Sequence, residues 1–129
     1  MPGYLFDTNV LANRIYRPSK ISREQKRVID NEEKAQRKIS ISAMTLVEFA
    51  SMGYSSRLPV EQLLLWIDSI GGPSIIPLTS TIARDAIALK QILIDPADCI
   101  IVATARVHGL RLLTADQRII DSNVVSTIS

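Results

Sequence analysis

The sequence predicts an α/β fold in which helices cover both faces of a parallel sheet of about five strands. Two observations lead to this class. Short apolar runs alternate along the chain with longer segments in which apolar residues recur at helical spacing. Apolar residues make up 47% of the 129 residues, which is enough for one buried core. We therefore predict one domain over residues 1–129, without linkers, repeats or low-complexity segments.

Five short apolar runs are the predicted strands. They cover residues 3–6, 38–42, 74–78, 110–114 and 123–128. Strands that are buried on both faces have such short, nearly continuous apolar runs, and they occur mostly in parallel sheets. The alternation with helices therefore favours a parallel arrangement.

Helical spacing dominates the segments between these strands. The predicted helices comprise residues 9–16, 22 to about 38, a segment that carries Glu48, residues 59–70, 80–94 and 98–108. Local residues mark several helix ends. Ser22 and Gln25 form a capping box at the start of the second helix. Pro59 begins the fourth helix, whereas Gly53 and Gly109 are expected to end the third and the last.

Composition narrows the functional classes. Cys99 is the only cysteine, which excludes an internal disulfide framework and a multi-cysteine zinc site. No apolar run approaches the roughly 20 residues of a membrane span, and the N-terminus does not resemble a secretory signal, so we expect a cytoplasmic protein. The glycine-rich P-loop motif for phosphate binding is absent from the sequence. His108, the only histidine, is expected to end a helix and to have no catalytic role.

Positive charge is concentrated in one segment. Residues 14–38 contain nine Lys or Arg side chains and four acids, a net of +5, although the whole chain has a net charge of only +2. The remainder of the chain therefore has a net charge of −3. A solvated helix face and an electrostatic track for nucleic acid both fit this pattern.

Four carboxylates are predicted to meet at one edge of the sheet. Asp7 ends the first strand, Asp116 follows the fourth, Glu48 lies on the helix entered from the second, and Asp98 opens the buried helix before the fourth. Ligands of open α/β sheets bind outside the carboxyl ends of the strands. Because no obvious cation accompanies these acids in the local sequence, we expect a metal ion to offset their repulsion. Oxygen ligands alone suit Mg²⁺ or Mn²⁺ better than Zn²⁺.

Each of these acids also has a purely structural interpretation. Asp7, Asp98 and Asp116 are favourable N-cap residues for the helices that follow them. Thr45 and Glu48 have the spacing of a capping box at a helix start. Capping and metal binding are compatible for an aspartate, because a cap holds the carboxylate rigidly at the sheet edge. For Glu48 the two interpretations compete.

The sequence contains three motifs that resemble the successive motifs of PIN-domain ribonucleases, and of VapC-like toxins in particular. These motifs are YLFDTNVLA, TLVEFA and DPADCIIVATARVHGLRLLTADQRI, and the resemblance extends over about residues 4–119. It implies a PIN-like three-layer sandwich and an endoribonuclease that depends on Mg²⁺ or Mn²⁺. The metal ligands and catalytic residues that it implies are Asp7, Glu48, Asp98 and Asp116. It also implies an RNA substrate, a cognate antitoxin and a homodimer.

Residues outside this set are assigned supporting roles. Thr8, Asp95 and Thr114 lie beside the ligand positions, where hydrogen bonds to carboxylates or water orient a metal site. Cys99 follows Asp98 at a position where many relatives have an arginine, so a possible contact to a carboxylate or phosphate is lost. No metal ligand is lost with it.

Two surfaces are candidates for binding partners. Arg14, Arg17 and Arg23 of the basic segment are the candidate RNA contacts. Val28 with Ile29, and residues 63–66, are candidate docking or dimer surfaces. An alternative interpretation of residues 63–66 is that they belong to the core.

Non-catalytic alternatives are a receiver-like regulatory module and a degenerate PIN-like module that only binds RNA. A receiver-like domain would have several acids at the end of its first strand, whereas Asp7 is followed by Thr8 and Asn9. A degenerate PIN-like module would be expected to lack some of the matching acids, and all four are present.

Overall fold

The computed structural model describes residues 3–51 and 60–129, in which five strands alternate with seven α-helices. In chain order these are β1 (Tyr4–Phe6), α1 (Thr8–Tyr16), α2 (Arg23–Lys34), β2 (Ser40–Ser42), α3 (Ala43–Ser51), α4 (Val60–Asp68), β3 (Ser74–Ile76), α5 (Ser80–Leu89), α6 (Pro96–His108), β4 (Arg111–Leu113), α7 (Gln117–Ser122) and β5 (Thr127–Ile128). A 3-10 turn, Pro18–Lys20, connects α1 to α2. The predicted alternation of strands and helices is confirmed.

The sheet is parallel throughout, with strand order β3-β2-β1-β4-β5. Phe6 of β1 lies opposite Ile41 of β2 on one side and opposite Leu113 of β4 on the other. The chain leaves β1 toward β2 and β3 and then returns to the opposite side of β1 to form β4. A topological switch point therefore lies between β1 and β4, which is where open α/β sheets bind ligands.

Apolar residues fill both faces of the sheet. Leu5 and Leu112 pack with α5 and α6 on one face, in a cluster that includes Ile82 and Ile101. The neighbouring strand residues point the other way and pack with α1, α2 and α3: they are Phe6, Ile41 and Leu113. The resulting order of helices, sheet and helices confirms the predicted three-layer α/β sandwich.

The candidate docking residues differ in burial. Val28 and Ile29 of α2 are only 5% and 3% exposed and belong to the core, so the prediction that they form a free docking surface is wrong. The basic helix buries these two residues because its apolar side chains share one face. Leu63 is likewise core, as the alternative interpretation predicted for its region, whereas Leu65 is 71% exposed.

Local capping signals located several helix ends correctly. The Ser22 hydroxyl accepts from the Gln25 N–H at 3.0 Å, and the Gln25 side chain accepts from the Ser22 N–H, so both halves of the capping box form. Gly109 ends α6 in the left-handed conformation with φ 64°. The predicted boundaries at Gly53 and Pro59 lie outside the described residues.

Several elements are shorter than their patterns predict. Helix α2 ends at Lys34, before the predicted 38, and α5 ends at Leu89, before the predicted 94. Pro96 disfavours helical geometry at the residue before it, so the chain turns before α6 can start. Strand β5 covers only Thr127–Ile128, and Asn123, the first residue of the predicted strand, is instead the left-handed C-cap of α7. None of the helices in residues 3–51 and 60–129 is long and apolar enough to cross a membrane.

Candidate metal and catalytic site

Asp7 is held in place by both of its carboxylate oxygens. It follows β1 and is only 5% exposed. Its Oδ1 accepts from the Thr8 N–H at 2.8 Å, which caps α1, and its Oδ2 accepts from the Thr114 hydroxyl at 2.7 Å. The Asp7 N–H donates to the carbonyl of Leu113 at 2.9 Å, so the end of β1 is fixed to the end of β4. The predicted cap and the predicted position at the sheet edge are both confirmed.

Glu48 is turned toward the same edge. Helix α3 begins at Ala43, and the Ser42 hydroxyl accepts from the Met44 N–H in its first turn at 3.0 Å. Thr45 is thus inside the helix and fully buried, so the capping-box interpretation of Thr45 and Glu48 is wrong. Glu48 Oε1 accepts instead from the Thr8 hydroxyl at 2.6 Å, and Thr8 Oγ1 lies 3.0 Å from Thr45 Oγ1.

Asp95 and Asp98 divide the two roles that the sequence assigned to Asp98. Asp95 is the N-cap of α6, and its Oδ1 accepts from the Ala97 N–H at 2.8 Å. The N-cap interpretation of Asp98 is therefore wrong, because the helix starts with Pro96 and Asp98 lies within its first turn. The Asp98 side chain is 18% exposed and faces the other acids.

Asp116, the last of the four acids, is connected to the end of β4 through Thr114. Its N–H donates to the Thr114 hydroxyl at 3.1 Å, and its Oδ1 accepts from the Arg118 N–H at 3.0 Å, which caps α7 as predicted. Thr114 thus contacts both Asp7 and Asp116, and Thr8 contacts both Asp7 and Glu48. The two threonines are the polar links between the acids, in the supporting positions that the sequence suggested.

The acids raise one another's pKa values, and burial does so more strongly. Burial raises the pKa of Asp7 to about 6, and nearby Glu48 and Asp116 add to this rise, although hydrogen bonds from Thr114 and Thr8 oppose it. Burial raises the pKa of Asp98 to about 7, with further contributions from the negative charges of the other four acids. Burial also raises the pKa of Glu48. Raised carboxylate pKa values concentrated in one place are typical of functional sites.

Arg118 is a site residue that the sequence interpretation missed. Its Nη2 lies 3.2 Å from Asp116 Oδ2 and 3.7 Å from Asp98 Oδ2. The expectation that the acids have no cation nearby in the sequence is therefore wrong, since Arg118 is only two residues from Asp116. A cation in the first turn of a helix is opposed by the helix dipole, and this unusual position is the signal that was available.

The donor chemistry of the site fits a hard divalent cation. Asp7, Glu48, Asp98 and Asp116 offer carboxylate oxygens, which Mg²⁺ and Mn²⁺ prefer. Among the described residues, no group of three or more Asp, Glu, His or Cys side chains is already arranged to hold an ion. The hydroxyls of Thr8 and Thr114 hold Glu48 and Asp7 in place, so two of the four acids are ordered before an ion binds.

The basic segment, residues 14–38, extends from the end of α1 past the end of α2. Arg23 begins this helix, and nearby Gln25, only 2% exposed, donates to the carbonyls of Thr114 at 3.2 Å and Ile128 at 3.1 Å. The start of α2 is thus fixed at the acidic edge of the sheet. Gln25 was interpreted from sequence only as a cap, and no local signal indicates its second contact.

Half of the other eight cations of the segment are paired with acids on the helices. Four of its nine cations form ion pairs within the described residues: Arg14 with Glu33, Lys26 with Asp30, Arg27 with Glu24, and Arg37 with Glu32. Arg14 and Arg17 lie at the far end of α1 from Asp7. Of the three predicted RNA contacts, Arg23 alone lies on a helix end that is fixed to the acidic edge.

The remaining sequence candidates lie in structural positions. Cys99 is 3% exposed, and its thiol donates to the carbonyl of Leu93 at 2.9 Å, as expected of a small core side chain. His108 is exposed and is the last residue of α6, as predicted.

A parallel α/β sheet with acids converging at its switch point defines a class of domain, and comparison with known proteins identifies the family. The sequence model of the PIN domain family matches residues 4–124 of the chain. The chain therefore belongs to the PIN domain family, and the resemblance found in the sequence is confirmed. No curated protein sequence matches the chain significantly.

Solved structures agree with this family. A toxin–antitoxin complex from Klebsiella pneumoniae contains a chain that is 24% identical, with a TM-score of 0.71 and coverage of 98% of this chain and 97% of that one. A chain of VapBC2 from Rickettsia felis, bound to a DNA fragment from its promoter, is 19% identical with a TM-score of 0.70. The match covers 97% of this chain and 96% of that one. A chain of FitAcB from Neisseria gonorrhoeae is 21% identical with a TM-score of 0.68. The match covers 98% of this chain and 96% of that one. At these identities the likeness establishes the fold.

Proposed function

We propose that this protein is a metal-dependent endoribonuclease, and that it is the toxin of a toxin–antitoxin pair. The observation that carries the proposal is the convergence of Asp7, Glu48, Asp98 and Asp116 from four separate segments at the switch point of the sheet. Convergent, partly buried acids with raised pKa values match the PIN domain family that the chain belongs to.

These four acids would hold one or two Mg²⁺ or Mn²⁺ ions. A divalent ion bound there supplies Lewis acidity toward a phosphate and lowers the pKa of water, which favours phosphodiester hydrolysis. The Thr8 and Thr114 hydroxyls hold Glu48 and Asp7 in fixed orientations, so less ordering is needed when the ion binds. We expect the products to have 5′-phosphate and 3′-hydroxyl ends.

Similarity to the solved structures supports the toxin half of the proposal. One of them is described as a toxin–antitoxin complex, and that chain is matched over nearly its whole length. An unrestrained ribonuclease would damage its own cell, so a cognate antitoxin should cover the acidic site. A partner arginine is well suited to this, because a guanidinium pairs with carboxylates in two-pronged fashion and competes with the metal. With RNA as the substrate, the expected location is the cytoplasm.

Replacing Glu48 tests the nuclease proposal. Glu48→Gln keeps the size and hydrogen-bonding capacity of the side chain but removes its charge. We expect the variant to fold at least as stably in metal-free buffer, because repulsion among the acids is relieved. Cleavage of labelled single-stranded RNA in Mn²⁺ should fall by about 100-fold or more.

Glu33→Gln is the matched control, since Glu33 is an exposed helix acid paired with Arg14. It should cleave RNA like the parent. If Glu48→Gln also cleaves like the parent, the acids do not form a metal nuclease site. If the parent binds RNA but never cleaves it in Mg²⁺ or Mn²⁺, the non-catalytic alternative is correct.

A further inference from the structure

Arg118 places a cation directly on the acidic site from the outside. Its Nη2 and Nε approach the two carboxylate oxygens of Asp116 at 3.2 and 3.4 Å, and Nη2 lies 3.7 Å from Asp98 Oδ2. It therefore contacts an acid in the first turn of α6 and the N-cap acid of α7 at the same time. These are two of the four acids to which the proposed function assigns a metal.

The position of Arg118 is costly on its own helix. It lies in the first turn of α7, where the helix dipole disfavours positive charge. Within the described residues, the ion pairs and side-chain hydrogen bonds of Arg118 go only to Asp98 and Asp116. Arg106 differs, because it pairs with Asp85 and also donates to the carbonyl of Val124, which fastens it between segments. Arg118 is thus held by the acidic site alone.

Arg118 can also leave the site at little cost. Its side chain is 71% exposed, and solvent-exposed ion pairs are weak because water screens the two charges. Among the described residues, its departure would leave no fully buried group unpaired, since the side chains of Asp98 and Asp116 are 18% and 21% exposed. A long, exposed arginine can therefore exchange partners without any change in the backbone.

We propose that Arg118 is an exchangeable counter-ion of the acidic site, paired with Asp98 and Asp116 until a divalent cation binds there and released to bind an RNA phosphate. A divalent cation held by these carboxylates would repel the guanidinium, whose Nη2 lies within 4 Å of an oxygen of Asp98 and of Asp116. A phosphate then offers the released arginine a two-pronged acceptor similar to the carboxylate that it leaves. The second half of this inference rests on the proposed function.

Calorimetric titration of Mn²⁺ into RNA-free protein tests the counter-ion half. Arg118→Ala should bind Mn²⁺ about three- to tenfold more tightly than the parent, because a competing cation has been removed. Arg27→Ala is the matched control, since Arg27 is an exposed helix arginine paired with Glu24. Its Mn²⁺ affinity should equal that of the parent. Unchanged or weaker binding by Arg118→Ala would overturn the proposal.

Steady-state RNA cleavage at saturating Mn²⁺ tests the phosphate half. Arg118→Ala should lower kcat/KM by about tenfold, whereas Arg27→Ala should not. Arg118→Lys should compete with Mn²⁺ like the parent but recover only part of kcat/KM, since lysine cannot make the two-pronged contact. Cleavage by Arg118→Ala at the parental rate would overturn the phosphate contact. If the parent cleaves no RNA, the proposed function fails, and the Mn²⁺ titration still decides the counter-ion role.

Discussion

At the scale of single residues, Thr8 links the site together. Its N–H donates to Asp7 and its hydroxyl donates to Glu48, so it connects the end of β1 to the middle of α3. Thr8 is only 3% exposed, and its hydroxyl therefore has no water to replace a lost partner. Within the described residues, the Glu48 carboxylate accepts its side-chain hydrogen bond from this hydroxyl.

Removing the Thr8 hydroxyl should loosen the site. Thr8→Val preserves the shape of the side chain but leaves Glu48 without its donor. We expect a loss of about 1 kcal/mol in stability and about tenfold in Mn²⁺ affinity, measured by chemical unfolding and calorimetry. Thr8→Ser should restore most of the affinity because it keeps the hydroxyl.

Thr104→Val is the control for this prediction. Thr104 is also buried, but its hydroxyl donates to the carbonyl of Ile100 within α6. Its replacement should leave Mn²⁺ affinity unchanged. Equal losses in the two valine variants would show that Thr8 has no special role.

The raised pKa values of Asp7 and Asp98 predict a pH dependence for the metal-free protein. Their folded-state pKa values of about 6 and about 7 lie above the ordinary value of 3.8. Between about pH 4 and pH 7 the folded state therefore binds more protons than the unfolded state. Stability from these groups is therefore present at low pH and is lost as the pH rises through about 7. Urea unfolding in chelator should show this loss, and Asp98→Asn should reduce it. A parent and variant with the same pH dependence would contradict this prediction.

Among the elements, helix α2 has different contacts at its two ends. Its start is fixed to β4 and β5 through Gln25, whereas Arg14 and Glu33 pair near its other end. Its apolar face completes the core with Val28 and Ile29. Only the first turn of α2 therefore brings basic charge toward the acidic edge.

Arg23 should contribute more to RNA binding than Arg14. We expect Arg23→Ala to weaken the binding of single-stranded RNA and to reduce the salt dependence by about 0.7 in log–log slope, the value for one phosphate contact. Arg14→Ala should change neither, because Arg14 is paired with Glu33 on the far side. Filter binding to the inactive Glu48→Gln variant over a salt series measures both. If the two substitutions have equal effects, the basic segment attracts RNA through its overall charge and Arg23 has no specific contact.

At the scale of the whole molecule, exposed apolar side chains indicate surfaces for partners. Leu64 and Leu65 of α4 are 49% and 71% exposed, although neighbouring Leu63 belongs to the core. Exposed apolar patches in small domains commonly mark protein interfaces. Of residues 63–66, which the sequence suggested as a docking or dimer surface, Leu64 and Leu65 are the exposed apolar side chains.

We predict that the protein is a homodimer in solution and that Leu65 contributes to the interface. Leu65→Glu should shift the protein toward monomer in light scattering at micromolar concentration, while its circular dichroism remains that of the folded parent. Leu63→Ala should instead lower stability by about 2–5 kcal/mol, because it creates a cavity in the core. A parent that scatters as a monomer would rule out the dimer, and a dimeric Leu65→Glu variant would place the interface elsewhere.

Features that depend on neighbouring residues could be predicted from the amino-acid sequence. Alternating apolar patterns predicted the fold class, and the capping box at Ser22 and the glycine at 109 located helix ends, because each signal acts within one or two turns. The motifs around Asp7, Glu48, Asp98 and Asp116 identified the acids that the fold brings together.

The tertiary structure decided which partners these residues have. Glu48 bonds to Thr8 across 40 residues and Asp7 to Thr114 across 107, and neither contact has a local signal. The same holds for Gln25 on β4 and β5, and for Arg118 on Asp98. Such contacts depend on strand order, since the placement of β2 and β4 on either side of β1 brings these segments to one edge. Local patterns cannot specify that order, because it is set by how the whole chain packs its core.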